Sequence, residues 1–292
     1  MTEGAKTKLS MVLGDYPHTQ ALKSGQISSD RVELVFEHFS PTHSGFKPMV
    51  RELKFDVSEL AIVTYLIAKA YQRPLVLLPA VVLGRFQQSF AIYNGDRGPL
   101  SPSDLEGRRV GVRSFTTTTG AWVRGILAND YGVNLDKVQW VTFEDPHVAE
   151  YKDTTERAPA GKTIISMLLD GELDAVIGDQ SDDPRVRPLF GDPDDAAMAW
   201  YRRHGVVPVN HLVVVTEALA KSNPAEVEEV YRMLKESKRA APSPTGIDFL
   251  PFGVEALRES LALIIDYCVQ QKLIPRRFTV DELFDNTTRR LN

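Results

Sequence analysis

An α/β architecture with a parallel or mixed sheet, large enough for two lobes, is the fold class this sequence predicts. Three observations carry it. Strand-like runs alternate with helix-like runs along the whole chain. The length of 292 residues lies near the size at which one hydrophobic core divides into two. Gly95-Asp96-Arg97-Gly98-Pro99 is a sharp break between two such alternating regions.

Residues 9–13 read as a first strand, stopped by Gly14-Asp15-Tyr16-Pro17. Val32, Leu34 and Phe36 alternate with Arg31, Glu33 and Glu37, as in a half-buried strand. A helical stretch over 45–53 precedes a strand near 57–61, and a helix over 64–71 stops before Pro74. Residues 75–83 are apolar and rich in β-formers. Residues 104–127 read as a turn, a short strand over 109–112, a hydroxyl-rich loop and a helix with Trp122, Ile126 and Leu127 on its apolar side. A strand at 138–141, a polar irregular loop over 144–162, a helix with Ile164, Ile165, Leu168 and Leu169, and a short strand at 174–177 follow. The acidic loop 182–195 leads into a helix with Met198, Trp200 and Tyr201. A strand over 207–215, broken by Pro208, precedes two amphipathic helices. The first carries Val227, Val230, Tyr231 and Leu234 behind Asn223-Pro224, a cap followed by proline. The second carries Val254, Leu257, Leu261, Ile264, Ile265 and Cys268. Cys268 is the sole cysteine, which excludes an intrachain disulfide, and its apolar face makes it a core residue rather than a nucleophile.

Hydrophobic content of 43% and charged content of 25% are those of a soluble globular enzyme or binding protein. A net charge of -5 gives no general attraction to nucleic acid or an acidic membrane. The first residues lack a signal-peptide pattern and no apolar window reaches membrane-spanning length, so a cytoplasmic protein without membrane or nucleic-acid partners is expected. Homo-oligomerisation is left open. The carboxylates of Asp182-Asp183 and Asp192-x-Asp194-Asp195 lack the glycine and terminal glutamate of a calcium loop, and Pro184 and Pro193 favour turns there. Neither His-x-x-His nor paired cysteines occur, nor any phosphate-binding glycine loop or Gly-x-Ser-x-Gly elbow. The expectation is a protein with no metal and no cofactor.

Ser114, Thr116, Thr117, Thr118 and Thr119 place five hydroxyls where a helix begins, beside unpaired backbone N–H groups and the positive end of the helix dipole. One threonine suffices as a cap. Five are read as a site for a carboxylate or phosphate, with Arg113 either adding a charge-assisted contact or standing solvated at the strand end.

The order of short motifs carries a resemblance. Gly14-Asp15-Tyr16 closes the first strand; Phe55-Asp56-Val57-Ser58-Glu59, Leu105-x-Gly107-x-x-Val110-Gly111-Val112 and Gly171-Glu172-x-Asp174-Ala175 follow in turn, and Pro251-Phe252-Gly253-Val254 comes late. Together they resemble the two-lobed, type 2 periplasmic-binding-protein-like fold over nearly the whole chain. Ala121-Trp122-x-Arg124-Gly125-Ile126-Leu127 and Tyr201-Arg202-Arg203 with Pro208 and His211 narrow the likeness to the 4,5-dihydroxyphthalate decarboxylase family. Two positions depart: Gln87-Gln88 stands before Ser89 where the resemblance implies an Arg-His pair.

The resemblance implies a first, discontinuous lobe of 1–93 and 211–292, a second lobe of 94–210, and two crossover hinge strands near 86–93 and 206–211. A ligand cleft between the lobes would gather Asp15, Tyr16, His18, Thr64, Ser114, Thr116 to Thr119, Asp179 and His211, since ligands in open α/β sheets sit at carboxyl ends of strands. The implied activity is cofactor-independent decarboxylation of a hydroxylated aromatic carboxylate. Such a reaction needs carboxylate anchors, a group that takes the phenolic proton and an acid near the ring carbon. His211, whose neighbours Leu212 to Val215 offer no reason for a polar ring, is the first candidate for proton transfer. His18 is the second, oriented by Asp15 or serving as a helix cap, while Tyr16 stacks on an aromatic ligand or packs. The rival reading is a solute-binding protein that closes on an aromatic or small carboxylate without chemistry.

Overall fold

The computed structural model describes residues 5–242 and 246–292. Its strands are β1 (Thr7–Val12), β2 (Val32–Glu37), β3 (Val57–Ala61), β4 (Leu75–Gly84), β5 (Ala91–Asn94), β6 (Arg109–Val112), β7 (Gln139–Thr142), β8 (Glu156–Arg157), β9 (Ala175–Ile177), β10 (Val186–Pro188) and β11 (Val209–Thr216). The helices are α1 (Gln20–Lys23), α2 (Phe46–Glu52), α3 (Ile62–Ala70), α4 (Thr118–Asp130), α5 (Ile164–Leu169), α6 (Pro193–His204), α7 (Glu217–Ser222), α8 (Pro224–Ala240) and α9 (Val254–Gln270). Among the described residues no helix is long and apolar enough to cross a membrane.

The chain forms two compact units: Met1–Gly84 with Val209–Ala262 and Arg276–Asn292, and Arg85–Pro208 with Leu263–Pro275. In the first unit the sheet order is β2-β1-β3-β11-β4. β1 runs parallel to β2 and β3, which requires crossovers, and α1 and α2 occupy them. β11 lies antiparallel between β3 and β4. Leu9, Met11 and Val57 share one buried cluster with Val213 and Val215 and with Val227, Val230 and Leu234 of α8. Residues from both ends of the chain therefore build a single core, and α8 buries the apolar stripe read from its spacing.

The second unit holds the order β10-β5-β9-β6-β7-β8. β6 is parallel to β7 and β9, and β5 is antiparallel to β9 and β10. Cys268 is fully buried on α9, as its spacing requires.

The structure differs from the sequence reading at several short elements. β8 and β10 fall in stretches read as loops; strands of two and three residues are too brief to show a period. α7 adds a helix between the last strand and α8, opened by the Thr216 hydroxyl accepting from the Leu219 N–H. The stretch 86–93, read as a crossover strand, is a 3-10 turn over Gln88–Phe90 followed by the four residues of β5. α3 starts earlier than read because Ile62 and Val63 are buried helix residues that look strand-like alone.

Candidate functional site

A glutamate sits where nothing charged should be. β3 is Val57-Ser58-Glu59-Leu60-Ala61, and every residue of it is buried. Glu59 pairs with Val213 across the ladder, and His211 lies two residues along on the same face of β11. That register brings the His211 Nδ1–H to Glu59 Oε1 at 2.6 Å. The β11–β4 ladder shifts register between Val209 and His211 and again between His211 and Leu212, an irregularity of the kind that re-aims a side chain.

Two further donors converge on the same carboxylate. The Tyr16 hydroxyl donates to Oε1 at 2.7 Å, and the Gly14 N–H donates to Oε2 at 2.8 Å. A Cβ at position 14 would lie 2.6 Å from the Tyr16 ring that crosses it, so a larger residue there would push that ring away from its place. Burial opposes ionisation of Glu59. The hydrogen bond and charge of His211, with the donors from Tyr16 and Gly14, outweigh burial and hold the carboxyl below its ordinary range.

His211 keeps 19% of its side chain exposed while Glu59 keeps none. With Nδ1 bonded to Glu59, Nε2 carries no partner among the described residues, and the Phe46 ring meets the imidazole edge-on at 5.2 Å. His18 stacks on Tyr16, ring centres 5.2 Å apart and planes within 3°. Its Nε2–H donates to the Val82 carbonyl at 3.0 Å. Burial pulls the His18 imidazole below its ordinary value, against the Val82 contact and the Glu59 charge.

Tyr16, His18 and His211 thus lie together, around a residue that was not given a role. Asp15 is not part of the group. Its carboxylate pairs with Lys23, which holds it below the ordinary carboxylate range, and it does not orient His18. The Val82 carbonyl does that instead. Thr64 is buried in the first turn of α3. Sequence reasoning quoted Glu59 only as part of a motif. The available signal was an acidic side chain inside a strand otherwise of apolar residues and one serine, a position that costs free energy unless partners are supplied.

In the second unit, the hydroxyl loop lies at the carboxyl end of β6 and leads into α4, while Asp179 follows the adjacent, parallel β9. Thr117 is the N-cap residue of α4, yet its hydroxyl makes no cap bond. It donates back to the Ser114 carbonyl at 3.0 Å, and the Ser114 and Thr116 hydroxyls bond to each other at 3.1 Å. The simple capping role weighed from sequence is therefore not what Thr117 does. Thr118 is buried, and the Thr119 hydroxyl accepts from Arg85 Nη2 at 3.4 Å. Arg113 lies 3.8 Å from Glu144. Burial pushes the Asp179 carboxyl up, partly offset by the charge of Arg113. Among the described residues, no three histidine, cysteine, aspartate or glutamate side chains gather as metal ligands.

No family model matches the chain. Over 282 residues it is 32% identical to a 4,5-dihydroxyphthalate decarboxylase of Comamonas testosteroni, covering 89% of this chain and 85% of that protein. It is also 32% identical over 213 residues to the protein of the same name from Pseudomonas putida, covering 68% and 82% respectively. Among solved structures it is similar to the alkanesulfonate-binding protein SsuA from Xanthomonas axonopodis pv. citri bound to MOPS, with a TM-score of 0.58 at 14% identity over 97% of this chain and 99% of that one. The desulfurization enzyme DSZB gives a TM-score of 0.57 at 14% identity, covering 97% and 98%. These likenesses are of fold, the type 2 periplasmic-binding-protein-like fold. One fold thus carries a binding protein and an enzyme, and the site must decide between them.

Proposed function

The chain belongs to the 4,5-dihydroxyphthalate decarboxylase family, and from that premise we propose that it removes carbon dioxide from a hydroxylated aromatic carboxylate without a cofactor. The observation that supports chemistry over mere binding is the buried Glu59 that holds His211 by Nδ1 and leaves Nε2 uncommitted. A solute-binding site has no need of an aligned carboxylate–imidazole pair; proton transfer does.

In the reaction, the bond between ring and carboxylate breaks, its electron pair stays on the ring carbon, and that carbon takes up one proton. A hydroxyl para to the carboxylate feeds density to that carbon once its proton is withdrawn. His211 Nε2 is the group proposed to carry a proton at the reacting ring. Glu59, kept ionised by its three donors, fixes the tautomer and stabilises the imidazolium that forms. Tyr16 and His18 stack as a flat pair against which an aromatic ring packs. His18, with Nε2 spent on Val82 and burial opposing its charged form, serves as wall rather than as acid. Asp15 is proposed as a surface partner of Lys23 with no proton to move.

Ser114 and Thr116 to Thr119 at the head of α4, with Arg113 and Asp179 beside them, are proposed to hold a carboxylate of the substrate, the Thr117 hydroxyl turning from the Ser114 carbonyl to the ligand. Replacing Thr117 and Thr118 together by valine should weaken binding of phthalate by roughly 1–3 kcal/mol, the cost of hydrogen bonds lost to a charged group. Titration calorimetry on the folded variant measures it; an unchanged dissociation constant would assign these hydroxyls to loop structure alone. Release of carbon dioxide from 4,5-dihydroxyphthalate by the purified chain tests the activity itself.

A further inference from the structure

α4 begins with a positive charge that no side chain neutralises by contact. Arg124 is fully buried, and its side chain runs back toward the amino end of the helix. Nη2 donates to the Phe115 carbonyl at 2.6 Å, and Nε donates to Gln271 Oε1 at 2.8 Å. The guanidinium lies 3.9 Å from the centre of the Phe115 ring and 5.5 Å from that of Trp140. All of these partners are neutral. Nη1 is buried with no hydrogen-bond partner.

That nitrogen lies beside Gly120. A Cβ on Gly120 would stand 2.9 Å from Arg124 Nη1 and 2.7 Å from Thr117 Oγ1, so the guanidinium lies against the first helical turn, on the side of the cap residue. The first turn of α4 contains no acidic residue. Asp153 acts on Arg124 only through space; its Oδ1 is taken by the Thr155 N–H and hydroxyl, and its Oδ2 is itself buried without a partner. Burial pushes the guanidinium down to about 10, as befits a charge with no counterion in contact.

A cation at the positive end of a helix dipole is unfavourable, and a buried cation without an anion is more so. Arg85, bonded to Thr119, adds a second positive group to the same turn. We propose that Arg124 is a positioning residue that charges the head of α4 from beneath and selects an oxyanion there. This rests on the reading that Thr117 and Thr118 hold the substrate carboxylate. Being fully buried, Arg124 acts on the ligand through the first turn rather than by touching it.

The test uses phthalate, which lacks the ring hydroxyls the reaction needs, and titration calorimetry on the full chain. Gln271→Glu places a carboxylate directly against Arg124 Nε, cancelling its charge from within, and gives up the bond that Gln271 Nε2 donates to the Ala121 carbonyl at 2.8 Å. Its dissociation constant for phthalate should rise about tenfold or more, and its melting temperature should fall by several degrees as the Ala121 carbonyl loses its donor. Arg124→Met should raise it similarly, whereas Arg124→Lys, which keeps the charge but loses the fork, should stay within about threefold. If Arg124→Met fails to fold, Gln271→Glu alone decides. A folded Gln271→Glu variant with unchanged phthalate affinity would overturn the proposal, as would Arg124→Lys binding as poorly as Arg124→Met, the mark of a purely structural arginine. Unchanged affinity in the Thr117 and Thr118 double variant, by contrast, strikes the carboxylate reading itself. Failure of phthalate to bind the unmodified chain overturns both.

Discussion

His211→Asn should lower turnover of 4,5-dihydroxyphthalate by roughly 10²–10⁴-fold while leaving the melting temperature close to that of the unmodified chain. The asparagine amide N–H replaces Nδ1 as the donor to Glu59, so the buried carboxylate keeps its partner at this position. What disappears is Nε2, the only atom of the pair left uncommitted among the described residues. A loss of turnover without loss of phthalate binding would place the effect in the chemical step rather than in affinity. An asparagine variant with full activity would remove His211 from the mechanism.

Glu59→Gln has the second large effect, and it falls on both stability and rate. The carboxylate accepts from His211, Tyr16 and Gly14, all as donors. An amide can offer one oxygen to them and must turn its own N–H₂ toward a donor. The loss should be about 2–4 kcal/mol of stability, the cost of buried polar groups left unpaired, with turnover falling by about 10²–10⁴-fold as the imidazole loses its orienting anion. The pH dependence follows from the direction of the shift. Glu59 is held below its ordinary value of 4.5 in the folded chain, so its contribution is complete above that value and is lost as pH falls through the lowered one. His18, pulled below 6.5, acts in the same sense, since the unfolded chain binds its proton first. Chemical denaturation of the unmodified chain should therefore show stability falling on acidification, beginning near pH 6.5 and steepening below 4.5. In Glu59→Gln the steeper limb should be shallower; an identical acid limb would mean that Glu59 is not the ionised, hydrogen-bonded group described.

Much of the architecture was legible because long elements carry their own period. The alternation in β2, the apolar β4 and the stripe of α8 each follow from a face that must be buried, and the motif order extended those local readings to the whole fold. Short elements escaped because β8 and β10 owe their existence to neighbours in the ladder rather than to their residues. The site was legible by halves. His211 stood out as a polar ring in an apolar strand. Glu59, which meets the same description inside β3, was passed over because it came embedded in a motif, and its partner lies 152 positions away. Asp15 misled through adjacency: a carboxylate three residues from a histidine invites a pair, yet the chain turns it toward Lys23. The threonines were read as exceeding the needs of a cap, and only the structure shows the Thr117 hydroxyl turned back to Ser114.

The most direct test incubates the purified chain with 4,5-dihydroxyphthalate and follows carbon dioxide together with the ring product. Loss of one carboxylate should give carbon dioxide and 3,4-dihydroxybenzoate in equal amounts, without an added cofactor, and His211→Asn should abolish most of that release. Tight binding of the same compound with no carbon dioxide from the unmodified chain would contradict the account and assign the protein to solute binding.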